Sequence, residues 1–523
     1  MYLVISKKKA IFLGVILVII TAMVTSAFQL TLGNKVVISK ELYEDYKKYD
    51  KLLGLESIIK QDFYKKVSDT DLVNGASKGL FLGTNDKYSG YYTKDEMENL
   101  INDSEGSYVG VGMYIGASKD GGLVVVPMKD SPAEKAGVKS GDKLVKVNGK
   151  SVSYKNSDEA VRMMKGKKGT TVELTILRED KQLNFKVKTD QIIEKSIESK
   201  VIDNDLGYIE ITQFISSTYT DFDKALKELK TKNINGLVID LRNNPGGMLD
   251  ICKEVADELI GEGTIVYTKD NKGNTEYLKS DKEKLGLPIV VLTNGESASA
   301  AEILTAAIVD NKEGISVGTT TFGKGLVQRP IELPDGSMIR LTIARYYTPS
   351  GRCIQKPYDH TANLDGRGLS KDDGQEKYNM ELVDRFNRGE MMHADSIHFP
   401  DSLKNSTKKL KRTVYGGGGI MPDYFVPIDT TQYTDYHRNL VAKGVVIKAT
   451  TKYIEKNRKE LQEKYKKFDT FNNKFEIDEQ MLADIRAAAD KEKIEFNEEQ
   501  YNKSLPLIKT QLKALIARDL WDM

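Results

Sequence analysis

The 523-residue sequence has few of the residues that build metal sites and disulfide frameworks. It contains two cysteines, Cys252 and Cys353, and four histidines scattered along the chain. A structural zinc site needs about four clustered ligands, and its cysteines usually stand in closely spaced pairs. Neither cysteine lies in such a pair, so the sequence predicts no metal site. Two buried thiols are expected, with a single disulfide as the alternative.

A surplus of charge of one sign is also absent. The 78 basic and 76 acidic residues leave a net charge of +2. Domains that bind nucleic acid usually carry a basic surplus or a basic stripe. The composition therefore gives no reason to expect nucleic acid as a partner.

A long hydrophobic run stands near the N-terminus. Residues 10–28 carry no charge and follow the three lysines at 7–9. About 20 apolar residues span a bilayer as a helix, and positively charged flanks remain in the cytoplasm. The run predicts an uncleaved signal anchor that places the rest of the chain outside the cytoplasm. A secretory signal cleaved near residues 25–27 is the alternative.

Short β-like runs with glycine and aspartate turns occupy residues 106–190. They include the string SPAEKAGVKSGDKLVKVNG at 131–149. This string resembles a PDZ domain, in which a glycine-rich loop captures the C-terminal carboxylate of a peptide added as an edge strand. Glycines let consecutive amides converge on an anion without interference from Cβ. The resemblance implies a peptide-binding loop at Gly110, Val111 and Gly112; a plain hairpin is the alternative.

Strand-like and helix-like stretches alternate through residues 191–356. Residues 236–241 and 288–292 are typical of buried strands, and a helical stretch follows each. Repeated βα units favour a mainly parallel sheet covered by helices. Three motifs stand out in this region: DLRNNPGG from Asp240, NGESASAAE from Asn294 and TTTFGKGLVQ from Thr319.

These motifs combine candidate groups for nucleophilic catalysis. Glycines at a strand-to-helix turn leave amides near a helix N-terminus, where they can hold a developing oxyanion. A serine hydroxyl needs a base to take its proton, and no histidine lies near the motifs. A lysine whose pKa is lowered from about 10.4 by burial can be that base. Taken singly, the serines could cap a helix, the lysine could be solvated and the glycines could form a plain turn.

Taken together, SASAAE, TTFGKGLVQ and DLRNNPGG resemble the C-terminal processing (tail-specific) protease family, which are serine peptidases with a Ser-Lys dyad. The order of a helical segment, a PDZ domain and a peptidase core is also similar. The string GGGGIMPD at 416–423 resembles a late element of longer family members. The resemblance implies Ser299 as the nucleophile, Lys324 as the general base and Gln328 as a residue that supports the lysine.

The same resemblance implies the oxyanion donors. One is the backbone N–H of Ala300, which follows the nucleophile. The other is an N–H of the glycine turn, at Gly246 or Gly247. The resemblance implies no metal and no organic cofactor.

The predicted fold is α+β and multidomain. A PDZ β-barrel-like module stands before an α/β serine peptidase core of βα repeats, with helical N- and C-terminal regions. A hydrophilic stretch without periodicity predicts a solvated insertion within the core. The expected domains are a cytoplasmic stub (1–9), a transmembrane signal anchor (10–28), a helical N-terminal domain (36–105), a PDZ domain (106–190), a peptidase core (191–356), the insertion (357–412), a return to the core (413–430) and a helical C-terminal region (431–523).

The predicted function is that of a membrane-anchored serine endopeptidase. It would bind the C-terminal tails of exported proteins through its PDZ domain and cleave them through an acyl-enzyme. Its expected partners are protein or peptide C-termini and the membrane, and a homo-oligomer or an adaptor protein is left open. We expect the chain to span the cell membrane once, with its bulk extracytoplasmic and on the periplasmic side if the cell has an outer membrane. The alternatives are a non-catalytic membrane PDZ scaffold and an acyl-transfer or hydratase-like enzyme on a related βα core.

Overall fold

The computed structural model of the protein divides the chain into two compact units, Met1–Thr84 and Asn85–Met523. It describes residues 30–32, 35–117, 122–178, 181–281, 283–356, 385–386, 388–393, 396–397, 401–407 and 411–521. The anchor expected at 10–28 lies outside these residues, and so does most of the hydrophilic insertion. No helix in the described ranges is both long enough and apolar enough to cross a bilayer.

The strands and helices follow one another in an order that alternates strand-rich and helix-rich regions. The strands are β1 (Leu30–Leu32), β2 (Lys35–Val37), β3 (Gly90–Tyr92), β4 (Ser107–Gly110), β5 (Met113–Ala117), β6 (Leu123–Pro127), β7 (Asp142–Val147), β8 (Lys150–Ser151), β9 (Thr171–Arg178), β10 (Lys181–Lys188), β11 (Asp190–Ile193), β12 (Ile197–Ile202), β13 (Leu206–Ile211), β14 (Gly236–Asp240), β15 (Gly263–Asp270), β16 (Thr275–Ser280), β17 (Ile289–Thr293), β18 (Gly314–Gly318), β19 (Leu326–Glu332), β20 (Met338–Tyr347), β21 (Lys404–Ser406), β22 (Thr413–Tyr415) and β23 (Tyr424–Phe425). The helices are α1 (Lys40–Asp62), α2 (Asp69–Leu82), α3 (Lys94–Glu105), α4 (Pro132–Lys135), α5 (Ser157–Met164), α6 (Thr218–Lys230), α7 (Leu249–Leu259), α8 (Ala300–Asp310), α9 (Asp435–Ala442), α10 (Val445–Lys464), α11 (Phe468–Lys474), α12 (Glu479–Lys491) and α13 (Glu498–Trp521).

The first unit contains the antiparallel pair β1–β2 and the helices α1 and α2. Each helix begins after a serine whose hydroxyl accepts a hydrogen bond from the N–H three residues later. The distances are 3.1 Å at Ser39 and 3.0 Å at Ser68. Such N-caps satisfy N–H groups that the first helical turn leaves unpaired. Both helices lie where the spacing of apolar residues predicts helical structure.

A separate antiparallel sheet forms the module between residues 107 and 193. Its strand order is β10-β9-β7-β6-β5, and β8 pairs with β7. Helix α5 contributes Ala160 and Met164 to the core of the module, which also contains Val125 and Leu174. Strand β4 pairs with β11, so the chain enters and leaves the module at one place. The strand β5 is left at an open edge of the sheet.

The largest core lies around a six-stranded sheet with the order β12-β13-β14-β17-β18-β23. The five strands from β13 to β23 are parallel, and β12 is antiparallel. This confirms the predicted mainly parallel sheet with covering helices. The DLRNNPGG and NGESASAAE motifs follow β14 and β17. Because these strands are parallel neighbours, their carboxyl ends bring the two motifs to the same edge.

A second sheet, which the sequence pattern did not indicate, completes this region. Its strands are antiparallel in the order β16-β15-β20-β19, and β3 pairs with the first residues of β20. The TTTFGKGLVQ motif runs into β19. The second sheet therefore carries the third motif to the carboxyl edge of the parallel sheet.

The helices α9–α13 form a C-terminal region with its own apolar core. Buried side chains at helical spacing in α12, such as Leu482, Ile485 and Ala489, belong to this core together with Ile508 and Leu512 of α13. This confirms the predicted helical C-terminal region.

Candidate active site

The two serines of the SAS string have different environments. The Ser297 side chain is buried, and its hydroxyl donates to the carbonyl oxygen of Leu241 at 2.7 Å. The same hydroxyl accepts the N–H of Asn294 at 2.9 Å. Both hydrogen-bonding capacities of Ser297 are thus used to join the ends of β14 and β17. The Ser297 hydroxyl therefore has a structural role.

Ser299 is half-buried and precedes the first residue of α8. Its backbone has φ 55° and ψ −115°, a region that a residue with a Cβ rarely adopts. Such a backbone costs about 1–3 kcal/mol and persists only where its surroundings enforce it. A strained serine at a sharp strand-to-helix turn is the geometry that presents a nucleophile in the α/β hydrolases. The local backbone of Ser299 therefore suits a nucleophile.

The glycine turn after β14 lies directly against Ser299. A Cβ added to Gly246 would lie 2.7 Å from Ser299 Cβ and 3.0 Å from Ala300 N. The N–H of Gly246 already donates to Asn244 Oδ1 at 2.8 Å. In the described part of the chain, no hydrogen bond uses the N–H of Gly247 or of Ala300. These two amides are the donors that the turn leaves available.

Glu302, in the first turn of α8, connects the serine motif with the lysine motif. Its side chain is fully buried, and its Oε2 accepts the backbone N–H of Ser299 and that of Lys324, each at 2.9 Å. Its Oε1 accepts the N–H of Gly323 at 2.7 Å and the hydroxyl of Thr321 at 2.5 Å. Burial raises the pKa of the Glu302 carboxyl, and these four donors oppose that shift. One carboxylate thus fixes both motifs.

Tyr346 provides a second connection from β20. Its buried hydroxyl donates to the carbonyl oxygen of Lys324 and lies 3.2 Å from the carbonyl oxygen of Ser299. Burial raises the pKa of this phenol well above its usual value, so the hydroxyl remains a donor. The backbones of Ser299 and Lys324 are therefore linked twice, at their N–H groups and at their carbonyl groups.

The Lys324 side chain is half-buried, with Nζ 4.7 Å from the centre of the Tyr88 ring. Burial, followed by the positive charge of Arg340, lowers the pKa of Lys324 to about 8. Both causes disfavour the ammonium form, whereas the Glu302 carboxylate opposes them. With this pKa, about a tenth of the lysine is a neutral amine at pH 7, far more than for a solvated lysine. Such an amine can accept a proton.

The third predicted residue is less closely connected with the lysine. Gln328 Nε2 lies 3.4 Å from Thr342 Oγ1, across the β19–β20 pair. Among the described residues, neither a Gln328–Lys324 hydrogen bond nor one between Ser299 Oγ and Lys324 Nζ is present. Ser299 and Lys324 are thus connected through their backbones, whereas Gln328 lies on β19 and contacts the adjacent strand β20.

The predicted peptide-binding loop lies at the open edge of the antiparallel module. Gly110 ends β4, Val111 is buried, and Gly112 has φ 73° directly before the edge strand β5. A Cβ on Gly112 would lie 2.6 Å from Ser131 Cβ, so this position requires glycine. Gly110 also bridges to Lys165 at the end of α5. The loop, the edge strand and the helix therefore meet at one place.

Glu302 and Tyr346 have connecting roles that were not predicted from the sequence. Glu302 had a signal: Ser299-x-x-Glu302 has the spacing of a capping box, and Glu302 is the acidic residue in the first turn of a largely apolar helix. Tyr346 had none, because its role depends on the pairing of β20. No group of three or more His, Cys, Asp or Glu residues in the described ranges is arranged to hold a metal ion.

Comparison with protein families matches three parts of the chain. Residues 205–361 match peptidase family S41, residues 123–178 match the PDZ domain, and residues 436–522 match a family of unknown function (DUF8443). The matched parts correspond to the parallel-sheet core, the antiparallel module and the C-terminal helices.

Curated relatives show the same similarity. The carboxy-terminal processing protease CtpA of Bacillus subtilis is 38% identical over 65% of this chain and 74% of its own length. A probable CtpA-like serine protease of Staphylococcus haemolyticus is 35% identical over 68% of this chain and 70% of its own. The carboxy-terminal processing protease CtpB of Bacillus subtilis is 37% identical over 59% of this chain and 66% of its own.

Proposed function

Because this chain belongs to the carboxy-terminal processing proteases of peptidase family S41, we propose that it cleaves peptide bonds with Ser299 as nucleophile and Lys324 as general base. The observation that carries the proposal is the sharing of Glu302 Oε2 by the backbone N–H groups of both residues. The lowered pKa of Lys324 supports it, because a base must be neutral to take the serine proton.

In the first half of the reaction, the neutral amine of Lys324 takes the hydroxyl proton of Ser299 as Oγ attacks the substrate carbonyl carbon. The negative charge that develops on the carbonyl oxygen is stabilised by the N–H groups of Gly247 and Ala300. The Lys324 ammonium then gives its proton to the leaving amine as the C–N bond breaks. An acyl-enzyme on Ser299 remains.

In the second half, a water molecule attacks the acyl carbon while Lys324 takes its proton. The C–O bond to Ser299 breaks, Ser299 regains a proton from Lys324, and the product leaves with a new carboxyl group, which then loses its proton to solvent. Gln328, at the third position of β19, is the residue that we assign to support Lys324. Each step uses only groups of this chain and water.

The PDZ module would recognise the C-terminal tail of the substrate. The glycine loop at Gly110, Val111 and Gly112 would bind the terminal carboxylate through backbone amides, and the tail would extend the sheet beside β5. Support comes from the open edge of β5 and from the apolar side chains of Val111, Met113 and Met164 in the same cluster. An apolar terminal side chain suits such surroundings.

We also propose that residues 10–28 tether the protein to the cell membrane, with the bulk of the chain outside the cytoplasm. The support is the sequence alone: an uncharged run of suitable length after the lysines at 7–9. Extraction of membranes at alkaline pH tests this tether. A full-length protein that remains in the pellet is expected, and its release into the supernatant would exclude an anchor.

The function as a whole is tested with two peptides that differ only in a free or an amidated C-terminus, both ending in an apolar residue. The free-carboxylate peptide should bind to the Ser299→Ala variant and be cleaved by the wild type. The amidated peptide should bind weakly and be cleaved slowly, because it lacks the negative charge that the loop binds. Equal binding and cleavage of the two peptides would contradict tail recognition.

A further inference from the structure

The segment that carries Lys324, residues 319–325, contains no regular secondary structure. We call it the base loop. Buried backbone carbonyls need hydrogen-bond partners, and a loop without regular structure must find them elsewhere in the chain. Tyr346 supplies the partner for the carbonyl of Lys324, and the backbone N–H of Lys356 supplies one for Gly323 at 3.0 Å. The carbonyls of Thr320 and Thr321, which stand earlier in the base loop, need partners as well.

Arg385 holds both of those carbonyls. Its Nη2 donates to the carbonyl oxygen of Thr320 at 3.0 Å, and its Nη1 donates to that of Thr321 at 3.1 Å. The rigid, planar guanidinium thereby fixes the orientation of two successive peptide groups. These peptide groups lie only a few residues before Lys324.

The burial of Arg385 indicates that its position is closely defined. Its side chain is 5% exposed, and its Nε donates to Glu390 Oε2 at 3.1 Å. A buried charge is tolerated when it is paired and its donors are satisfied. The Glu390 carboxylate and the two carbonyls meet these conditions together.

A chain of contacts connects Arg385 with the nucleophile. Arg385 binds the carbonyl of Thr321, whose hydroxyl donates to Glu302 Oε1. The other oxygen of Glu302 accepts the N–H groups of Ser299 and Lys324. A displacement of Thr321 would therefore move both reacting residues.

Arg385 comes from the hydrophilic stretch that the sequence presents as a solvated insertion, 64 residues after Thr321. We propose that Arg385 is a positioning residue for the peptidase reaction, and that this part of the insertion braces the base loop so that Lys324 faces Ser299. The inference rests on the function proposed above.

The test compares Arg385→Met with a matched control from the same segment, Arg388→Met. Arg388 is 58% exposed and binds the other oxygen of the same Glu390 carboxylate at 2.6 Å. We expect Arg385→Met to lower kcat for a quenched fluorogenic peptide by about tenfold to hundredfold, with KM and tail binding unchanged. The acid limb of its pH profile should move to higher pH, since a relaxed loop exposes Lys324 to water. Arg388→Met should retain the wild-type kcat and profile.

A second variant, Arg385→Lys, decides the matter if the methionine variant does not fold. Lysine keeps the charge beside Glu390 but cannot hold two carbonyls in a fork. A folded Arg385→Lys protein with lowered kcat supports the inference. Folded Arg385 variants whose kcat and pH profile match those of Arg388→Met would overturn it.

Lys324→Ala, measured in parallel, separates this inference from the proposed function. If Lys324→Ala loses cleavage and the Arg385 variants do not, only the positioning role is wrong. If Lys324→Ala cleaves as fast as the wild type, the proposed base is wrong and the positioning role is overturned with it.

Discussion

Ser299 and Lys324 donate their backbone N–H groups to the same atom, Oε2 of Glu302, at 2.9 Å each. The two residues belong to different elements, since Ser299 precedes α8 and Lys324 lies just before β19. A buried carboxylate with four donors has little freedom to move. The spacing of the proposed nucleophile and base is therefore set by a third residue, in the first turn of α8.

Replacing Glu302 by glutamine should impair both stability and cleavage. The amide nitrogen of glutamine would face N–H donors, so at least one buried donor would lose its partner. Each such loss costs about 1–3 kcal/mol. We expect a lower midpoint of thermal unfolding and at least a tenfold loss of kcat. The control is Glu296→Gln in the preceding turn, which should leave both unchanged, and equal effects of the two variants would contradict the role of Glu302.

The rate of cleavage should depend on pH through Lys324. Because the base acts as a neutral amine, kcat/KM should rise with pH and level off above a pKa of about 8. The positive charge of Arg340 helps to lower this pKa, so Arg340→Met should move the rise to higher pH. Initial rates across a pH series, at substrate concentrations well below KM, give the pKa of this rise for the wild type and for Arg340→Met.

Lys87 provides the comparison for this prediction. Its charge also lowers the pKa of Lys324, but it ranks below Arg340 among the causes. Lys87→Met should therefore shift the rise less than Arg340→Met does. If the rise of kcat/KM occurs at the wild-type pH in both variants, a group other than Lys324 controls it.

The two serines should respond differently to alanine. Ser297→Ala leaves the Asn294 N–H without its partner and removes one of the two donors to the Leu241 carbonyl, which keeps the N–H of Asn244. It should therefore lower stability by about 1–3 kcal/mol. The folded protein should still cleave its substrates. Ser299→Ala should fold and bind peptides but show no cleavage. Thermal unfolding and a cleavage assay on both variants check this, and the opposite pattern would identify Ser297 as the nucleophile.

Gly246→Ala should abolish cleavage, because its Cβ would lie 2.7 Å from Ser299 Cβ. The matched control is Gly273→Ala, where φ is 84° and nothing lies within 4 Å of an added Cβ. Both substitutions place alanine at a positive φ, but only Gly246→Ala meets the serine. Phosphonylation of Ser299 by a fluorophosphonate probe measures the effect. Equal labelling of the two variants would show that the turn does not pack closely on Ser299.

Local pattern was sufficient to predict the elements whose signals are themselves local. Buried apolar runs marked the parallel strands β14 and β17, and glycine and serine strings marked the turns that follow them. Helical spacing marked the C-terminal helices. In each case the residues that form the structure are close together in the sequence.

Contacts between distant residues were not predictable in the same way. Tyr346 reaches the site only because β20 pairs with β15 and β19, and Arg385 is buried although it belongs to a hydrophilic stretch of the sequence. Which of the two glycine N–H groups is available as an oxyanion donor depends on a single contact, since the N–H of Gly246 already donates to Asn244 and that of Gly247 does not. Such roles arise from tertiary pairing, which the order of residue types does not encode locally.

The most direct test of the proposed mechanism is cleavage of an unfolded protein with an apolar C-terminus by the wild type and by Lys324→Ala. Peptide binding to the PDZ module and thermal unfolding, measured on the same samples, establish that the variant is folded. The proposed dyad predicts that Lys324→Ala binds the tail and loses cleavage, because the Ser299 hydroxyl then has no base. Cleavage at the same rate by both proteins would contradict it.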